Sequence, residues 1–232
     1  MLVLHCVTAE VPESEPGLSA AVVVVKMSTR GSTLTYKVCL VGLPGVGKTS
    51  LFNSIRGKDF SENPRAEIDN YIHRTTVDFS GRKYEVNLQI WDTAGMDRYQ
   101  SLTTSYYRKS HAVLLVFSFG CTESFGAIND IMEDIKRHDY APDSIFFLVG
   151  NKCDLARNAQ EVQEERVSDF LSSNVSFFTR YNITSAKTGD GLKELFSNIA
   201  HKLVRKRVRP IKKKQEIDVI IQKSESRTCF CL

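Results

Sequence analysis

One eight-residue segment combines residue types suited to binding phosphate. Gly42, Gly47, Lys48 and Thr49 occur in the spacing G-x-x-x-x-G-K-[ST], in which glycines let successive backbone N–H groups point at phosphate oxygens. Lys48 would reach the β- and γ-phosphates of a nucleotide, and the Thr49 hydroxyl would bind Mg²⁺. The residues expected to contact the nucleotide here are Gly42, Pro44, Gly45, Val46, Gly47, Lys48, Thr49 and Ser50.

The flanking segments predict the strand and the helix that such a loop requires. An apolar, β-branched run at 36–41 precedes the loop, and residues 50–55 continue with helical periodicity. A helix that begins here adds its free N–H groups and the positive end of its dipole to the phosphate site. The alternative is a Gly-rich turn before a core helix, and the strand–loop–helix order opposes it.

A second segment places a carboxylate at the end of a predicted strand. The alternating run 84–91 leads to Asp92, which can hold Mg²⁺ through water. Gly95 follows closely and can offer its N–H to a γ-phosphate. The predicted metal ligands are therefore Thr49 and Asp92.

Two further segments predict how the base is recognised. The apolar run 144–150 leads into Asn151-Lys152-Cys153-Asp154. The Asp154 carboxylate can accept both the ring N–H and the amino group of guanine, donors that adenine lacks in that arrangement. Ser185-Ala186-Lys187 lies downstream, where the Ala186 N–H can meet the guanine O6 and Lys187 can pack near the base. The sequence thus predicts guanine specificity.

These four motifs, in this order, make the chain resemble the small GTPases of the Ras superfamily. The resemblance covers roughly residues 34–206 and is greatest to the Rab branch, through 87–95 and 106–108. It implies that Phe60 lies across the guanine edge, although an ordinary core Phe remains the alternative. It also implies GTP or GDP and Mg²⁺ as cofactors, and an exchange factor, an activating protein, effectors and a prenyl-binding carrier as partners.

Length and patterning agree with an α/β fold. The chain has 232 residues and 42% apolar content, enough for one domain with a sizeable core, and it lacks an apolar run long enough to span a bilayer. Strands alternate with amphipathic helices, which predicts a mostly parallel, six-stranded sheet of P-loop NTPase type with helices on both faces. We predict an N-terminal extension at 1–34, a GTPase domain at 35–206 and a flexible tail at 207–232. Whether Met1 or Met27 is the start stays open.

The sequence departs from the family at three positions. Met96 stands where the family has the Gln that orients the attacking water, so no catalytic residue is firmly assigned. Pro44 replaces a Gly of the phosphate loop and removes an N–H. Glu67 stands where the family has a Mg²⁺-binding Thr, and as a carboxylate it is a third candidate Mg²⁺ ligand. Its charge would also repel the γ-phosphate; a displaced loop with Glu67 in solvent is the alternative. We therefore expect slow intrinsic GTP hydrolysis.

The C-terminus predicts lipidation. Cys229-Phe230-Cys231-Leu232 fits both a C-a-a-X signal and the doubly prenylated Rab ending, so one or both cysteines are candidates. Residues 201–232 contain ten Lys and Arg against three Asp and Glu, which favours an anionic membrane surface. The competing interpretation, a nucleic-acid patch, lacks accompanying aromatic residues.

Together these features predict a monomeric molecular switch. It would cycle between GDP and GTP forms, order loops near 60–75 and 93–105, and recruit effectors to the cytoplasmic face of a membrane in vesicle trafficking, with a cytosolic pool. The alternatives are a GTP-binding adaptor with little hydrolysis and a Ras- or Rho-like signalling GTPase. The absence of a helical insert between Asp154 and Ser185 opposes a Rho-type protein.

Overall fold

The computed structural model describes residues 33–64, 69–92, 109–138, 144–155 and 157–208, and within them six strands form one sheet. The strands are β1 (Leu34–Val41), β2 (Asp69–Phe79), β3 (Arg82–Asp92), β4 (Ala112–Ser118), β5 (Ile145–Asn151) and β6 (Phe178–Ile183). Their order in the sheet is β2-β3-β1-β4-β5-β6. Strand β2 is antiparallel to β3, and all other neighbours are parallel.

Helices cover both faces of this sheet. They are α1 (Lys48–Ile55), α2 (Thr122–His138), α3 (Glu164–Ser173) and α4 (Leu192–Arg207), with a short 3₁₀ turn at Arg157–Ala159. All seven residues of β4 are buried, and the six apolar ones, 112–117, alternate between two core clusters. One cluster contains apolar side chains of α1 and α4, and the other those of α2 and α3. This is how a parallel sheet buries both faces, and it confirms the predicted fold.

A tight hairpin joins β2 to β3. Its two loop residues, Ser80 and Gly81, have φ angles of 53° and 71°, the left-handed pair that a type I′ turn requires. Strand β3 then pairs with β1 in the register Cys39 to Trp91. Asp92, the next residue of β3, is therefore delivered to the edge of the sheet where β1 enters the phosphate loop.

The loop predicted near 60–75 is shorter than expected. Strand β2 begins at Asp69 and pairs with β3 along its whole length, from Asp69 with Asp92 to Phe79 with Arg82. Residues 69–75 are therefore strand, because continuous antiparallel pairing satisfies their backbone groups. The second predicted loop, 93–105, lies outside the described residues.

Helix α4 runs from the carboxyl ends of the strands to their amino ends. It begins next to the carboxyl end of β6, where a side chain at Gly191 would clash with the carbonyl of Ile183. Near its other end the Leu203 carbonyl accepts a hydrogen bond of 3.4 Å from the Tyr36 hydroxyl of β1. Val208 then packs against the core, so the chain leaves from the edge where β1 begins.

Across the described ranges, no helix is both long enough and apolar enough to cross a membrane. Most of the predicted extension and most of the predicted tail lie outside these ranges, and Leu34, the last residue of the predicted extension, is the first residue of β1. The domain boundaries therefore stay predictions.

Candidate functional site

The loop between β1 and α1 adopts a conformation that depends on its glycines. Gly47 has a φ of 97°, and a Cβ there would clash with the side-chain amide of Asn151. A Cβ at Gly42 would clash with the carbonyl oxygen of Val116 in β4. The loop is therefore pressed against β4 and β5, and its two motif glycines are required by this close approach.

The Lys48 side chain is held against this loop. Its residue is only 3% exposed, and its Nζ donates to the carbonyl oxygens of Gly42 at 2.8 Å and Leu43 at 2.9 Å. Helix α1 begins at the same residue, with no side-chain cap and no acidic residue in its first turn. An oriented ammonium group beside the N-terminus of a helix is a binding site for phosphate.

Asn151, the last residue of β5, joins the phosphate loop to the segment after β6. It is fully buried, and its Nδ2 donates to the Val46 carbonyl at 2.8 Å. Its Oδ1 accepts from the Ala186 N–H at 3.2 Å and from the Thr184 hydroxyl at 3.3 Å. The sequence predicted that Asn151 contacts the nucleotide; the structure gives it a role in holding three loops in place.

Asp154 is oriented by the segment after β6. Ser185 Oγ donates to Asp154 Oδ1 at 2.5 Å and accepts from the N–H groups of Lys187 at 3.2 Å and Thr188 at 3.1 Å. Lys152 has a φ of 64°, which turns the chain sharply after β5 and brings Asp154 to the surface of the cleft. The carboxylate is exposed, while Ser185 behind it is buried.

The thiol between these residues stays neutral. Burial is the main factor that raises the pKa of Cys153, and the nearby carboxylates of Asp190 and Asp154 raise it further. The Cys153 side chain therefore places no thiolate next to the Asp154 carboxyl group.

These residues line one cleft of about 620 Å³, a size suited to a small organic ligand. Ser185 and Val46 were predicted to contact the nucleotide but do not line the cleft. Ser185 lies behind Asp154, and the Val46 side chain is buried. The cleft is lined by the following predicted residues: Pro44, Gly45, Gly47, Lys48, Thr49, Ser50, Phe60, Asn151, Lys152, Asp154, Ala186 and Lys187. Phe60 is 43% exposed, which rules out the alternative of a core side chain.

Thr49 and Asp92 offer the oxygen ligands that Mg²⁺ prefers. Both are largely buried, at 9% and 2% exposure, and both lie at the carboxyl edge of the sheet. A hydroxyl and a carboxylate fit a hard divalent cation. Glu67, Gly95, Met96, Cys229 and Cys231 lie outside the described residues, so their assigned roles stay predictions.

Four further residues line the cleft without having been identified from the sequence. They are Glu62, Asn63, Pro64 and Leu155. Leu155 directly follows Asp154, and this adjacency could have identified it as a cleft residue. The other three follow Phe60 in an irregular segment that has no motif.

Comparisons with known proteins agree with this geometry. The Ras family model matches residues 37–205. Ras-related protein Rab-30 of Homo sapiens is 36% identical over 179 residues, covering 77% of this chain and 84% of that protein. Ras-related protein Rab7 of Pisum sativum is 36% identical, covering 75% and 84%. Ras-related protein Rab-13 of Canis lupus familiaris is 33% identical, covering 74% and 81%.

Proposed function

Because the chain belongs to the Ras family, as a small GTPase of the Rab branch, we propose that it is a guanine-nucleotide-dependent switch that recruits effectors to a membrane in vesicle trafficking. The observation that carries the proposal is the shared cleft of Lys48 and Asp154. Lys48 and the start of α1 would bind the β- and γ-phosphates. Asp154, held by Ser185, would accept the two guanine donors.

The nucleotide would be oriented by residues at both ends of the cleft. Ala186 lines the cleft near Asp154, but its N–H, which the sequence assigned to the guanine O6, donates to Asn151 Oδ1 at 3.2 Å. The exposed ring of Phe60 is available to cover the guanine edge. Thr49 and Asp92 would hold Mg²⁺, which supplies charge neutralisation to the phosphates when bound. The described residues would thus supply the contacts to the nucleotide, and residues 93–105 would report the γ-phosphate to effectors.

Guanine specificity is tested by replacing Asp154 with Asn. The substitution exchanges a charged acceptor for a donor, so GDP affinity should fall by a few kcal/mol, roughly a hundredfold, while xanthine nucleotides gain. Competition titrations with a fluorescent GDP analogue measure this. Equal affinity of the parent chain for ADP and GDP would contradict the proposal, and Asp190→Asn is the matched control because Asp190 is not among the residues that line the cleft.

Slow hydrolysis is part of the proposal because a thioether cannot position water. Met96 occupies the position of the family's Gln, and Glu67 that of its Thr. A carboxylate 5 Å from a phosphate charge gives a repulsion of about 3 kcal/mol at an effective dielectric constant near 20. Single-turnover hydrolysis of bound GTP should be very slow in the parent chain and faster in Met96→Gln. A parent chain as fast as ordinary Rab proteins, unchanged by Met96→Gln, would refute this.

The second candidate is an adaptor that binds GTP and hydrolyses almost none of it, and Met96 is the observation that favours it. The same assay separates the two candidates when the activating proteins present in a cell extract are added. A switch should be stimulated by a group supplied in trans. An adaptor should retain GTP.

Membrane residence would depend on Cys229 and Cys231, supported by the basic residues before them. One prenyl chain alone gives reversible binding, so a second lipid or a basic segment is needed for stable attachment. Cys229→Ser with Cys231→Ser should move the protein into the soluble fraction of a cell lysate. Retention equal to that of the parent chain would show that the tail is not the anchor.

A further inference from the structure

A second cleft, of about 480 Å³, lies between α1, β2 and α4 and shares no lining residue with the nucleotide site. Its floor is apolar. Leu192 and Phe196 of α4 are buried, Ile55 of α1 is half-buried, and the His73 ring lies over Phe196 with 5.7 Å between ring centroids. The volume suits a few apolar side chains.

The rim of this cleft is basic. Arg74 of β2 and Lys193 of α4 are both exposed and both line it. Within the described part of the chain neither of them forms an ion pair. The acidic neighbour of Lys193, Glu194, instead contacts Arg180 of β6 at 3.4 Å. The cleft therefore suits a segment that combines apolar side chains with carboxylates.

We propose that the occupant is the C-terminal segment Glu216-Ile217-Asp218-Val219-Ile220-Ile221 of this same chain. It lies outside the described residues, and it differs from the basic sequence around it: four β-branched apolar residues alternate with or follow two acids. The isoleucines cover the floor formed by Phe196 and Ile55. Glu216 and Asp218 pair with Arg74 and Lys193.

The chain is long enough to reach the cleft. Helix α4 ends at Arg207, and Phe196 lies about 18 Å back along it from Val208 at 1.5 Å per residue. The eight steps from Val208 to Glu216 span at most roughly 26–29 Å. The segment therefore reaches the floor of the cleft without unwinding α4.

Docking would shorten the tether between the domain and the C-terminus. The 21 steps from Val208 to Cys229 span at most roughly 69–76 Å, whereas the eight steps from Ile221 to Cys229 span roughly 26–29 Å. The docked segment thus sets how far the domain stands from whatever holds the end of the tail. The docking itself does not depend on lipidation.

Hydrogen exchange of the full, unlipidated chain tests the proposal. The triple variant Ile217→Asp, Ile220→Asp, Ile221→Asp removes the apolar contacts, and Ser224→Asp, Ser226→Asp, Thr228→Asp is a matched control that adds the same charge downstream. Peptides covering residues 51–57, 72–76 and 192–198 should exchange several-fold faster in the triple variant and be unchanged in the control. Equal exchange in the parent chain and the triple variant would overturn the proposal.

A charge exchange tests the register of the contact. The double variant Arg74→Glu, Lys193→Glu should show faster amide hydrogen exchange at the cleft. Adding Glu216→Lys and Asp218→Lys to it should restore the hydrogen-exchange rate of the parent chain. Failure of this rescue would refute the ion pairs. Protection that increases with protein concentration would refute docking within one chain and would indicate a second copy as the occupant.

Discussion

The buried amide of Asn151 should be essential to both the stability and the nucleotide affinity of this protein. Replacing it with Ala removes its donation to the Val46 carbonyl and the acceptor of the Ala186 N–H. Thr184 keeps an alternative acceptor in the Gly150 carbonyl at 3.4 Å. Two buried polar groups are therefore left without their partner in the variant.

Each such group costs about 1–3 kcal/mol when unsatisfied, so the expected loss in the free energy of unfolding is about 3–4 kcal/mol. That is a large part of the 5–15 kcal/mol typical of a folded domain. Urea unfolding followed by tryptophan fluorescence should show a midpoint about 1.5–2 M lower if the slope is near 2 kcal/mol per M. GDP affinity should fall as well, since the phosphate loop loses its support.

Two further variants make the reasoning refutable. Asn198→Ala removes a half-buried amide that donates a 3.4 Å hydrogen bond to the Glu194 carboxylate, and it should change stability by less than about 0.5 kcal/mol. Asn151→Asp keeps an acceptor but puts an oxygen opposite the Val46 carbonyl and buries a charge, so it should be at least as destabilising as Asn151→Ala. A loss below about 1 kcal/mol in Asn151→Ala, with unchanged GDP affinity, would refute this account.

Three other outcomes are expected. Gly42→Ala should destabilise the fold by about 1–3 kcal/mol because its Cβ meets a backbone carbonyl of β4 that cannot move aside; a thermal midpoint equal to that of the parent chain would contradict this. Lys48→Ala should weaken GDP binding roughly a hundredfold or more, as charged hydrogen bonds to phosphate are lost, and a titration within tenfold of the parent value would count against it. Burial, with smaller contributions from Arg207 and Lys37, lowers the pKa of His111 in the folded state. The unfolded state therefore binds a proton more readily, so the contribution of neutral His111 to the free energy of unfolding should be fully present above pH about 6.5 and should decline below it. His111→Gln should reduce that decline in unfolding experiments at pH 7.5 and 5.5, and an unchanged pH dependence would exclude His111 as its source.

Local patterns in the sequence predicted most of the fold. The six consecutive apolar residues of β4 predict a strand buried on both faces, and the helical spacing of Phe125, Ile128, Met132 and Ile135 predicts one buried helix face; the structure confirms both. Periodicity is a local property, so it can be read without knowing the contacts. It did not fix where β2 begins, because that depends on pairing with β3 across the hairpin.

The sequence predicted which residues belong to the site better than it predicted what each of them does there. Asn151 contacts the Val46 carbonyl 105 positions earlier, and Ser185 contacts Asp154 31 positions earlier. No spacing rule connects such residues, because their proximity is created by the order of the strands in the sheet. The motifs therefore predicted that these residues belong to the site, whereas only the contacts show which ones support the others.

The course of α4 gives the molecule two functionally separate ends. The helix starts beside the carboxyl edge, where the cleft opens, and finishes beside the start of β1, where the tail departs. While segment 216–221 is undocked, a membrane or protein that binds the tail would hold the domain at the end of the sheet where β1 begins, and the nucleotide cleft at the other end would stay accessible to regulators. Docking of that segment would move the point of attachment to the second cleft, beside Phe196. Docking would therefore change which end of the domain faces whatever holds the tail.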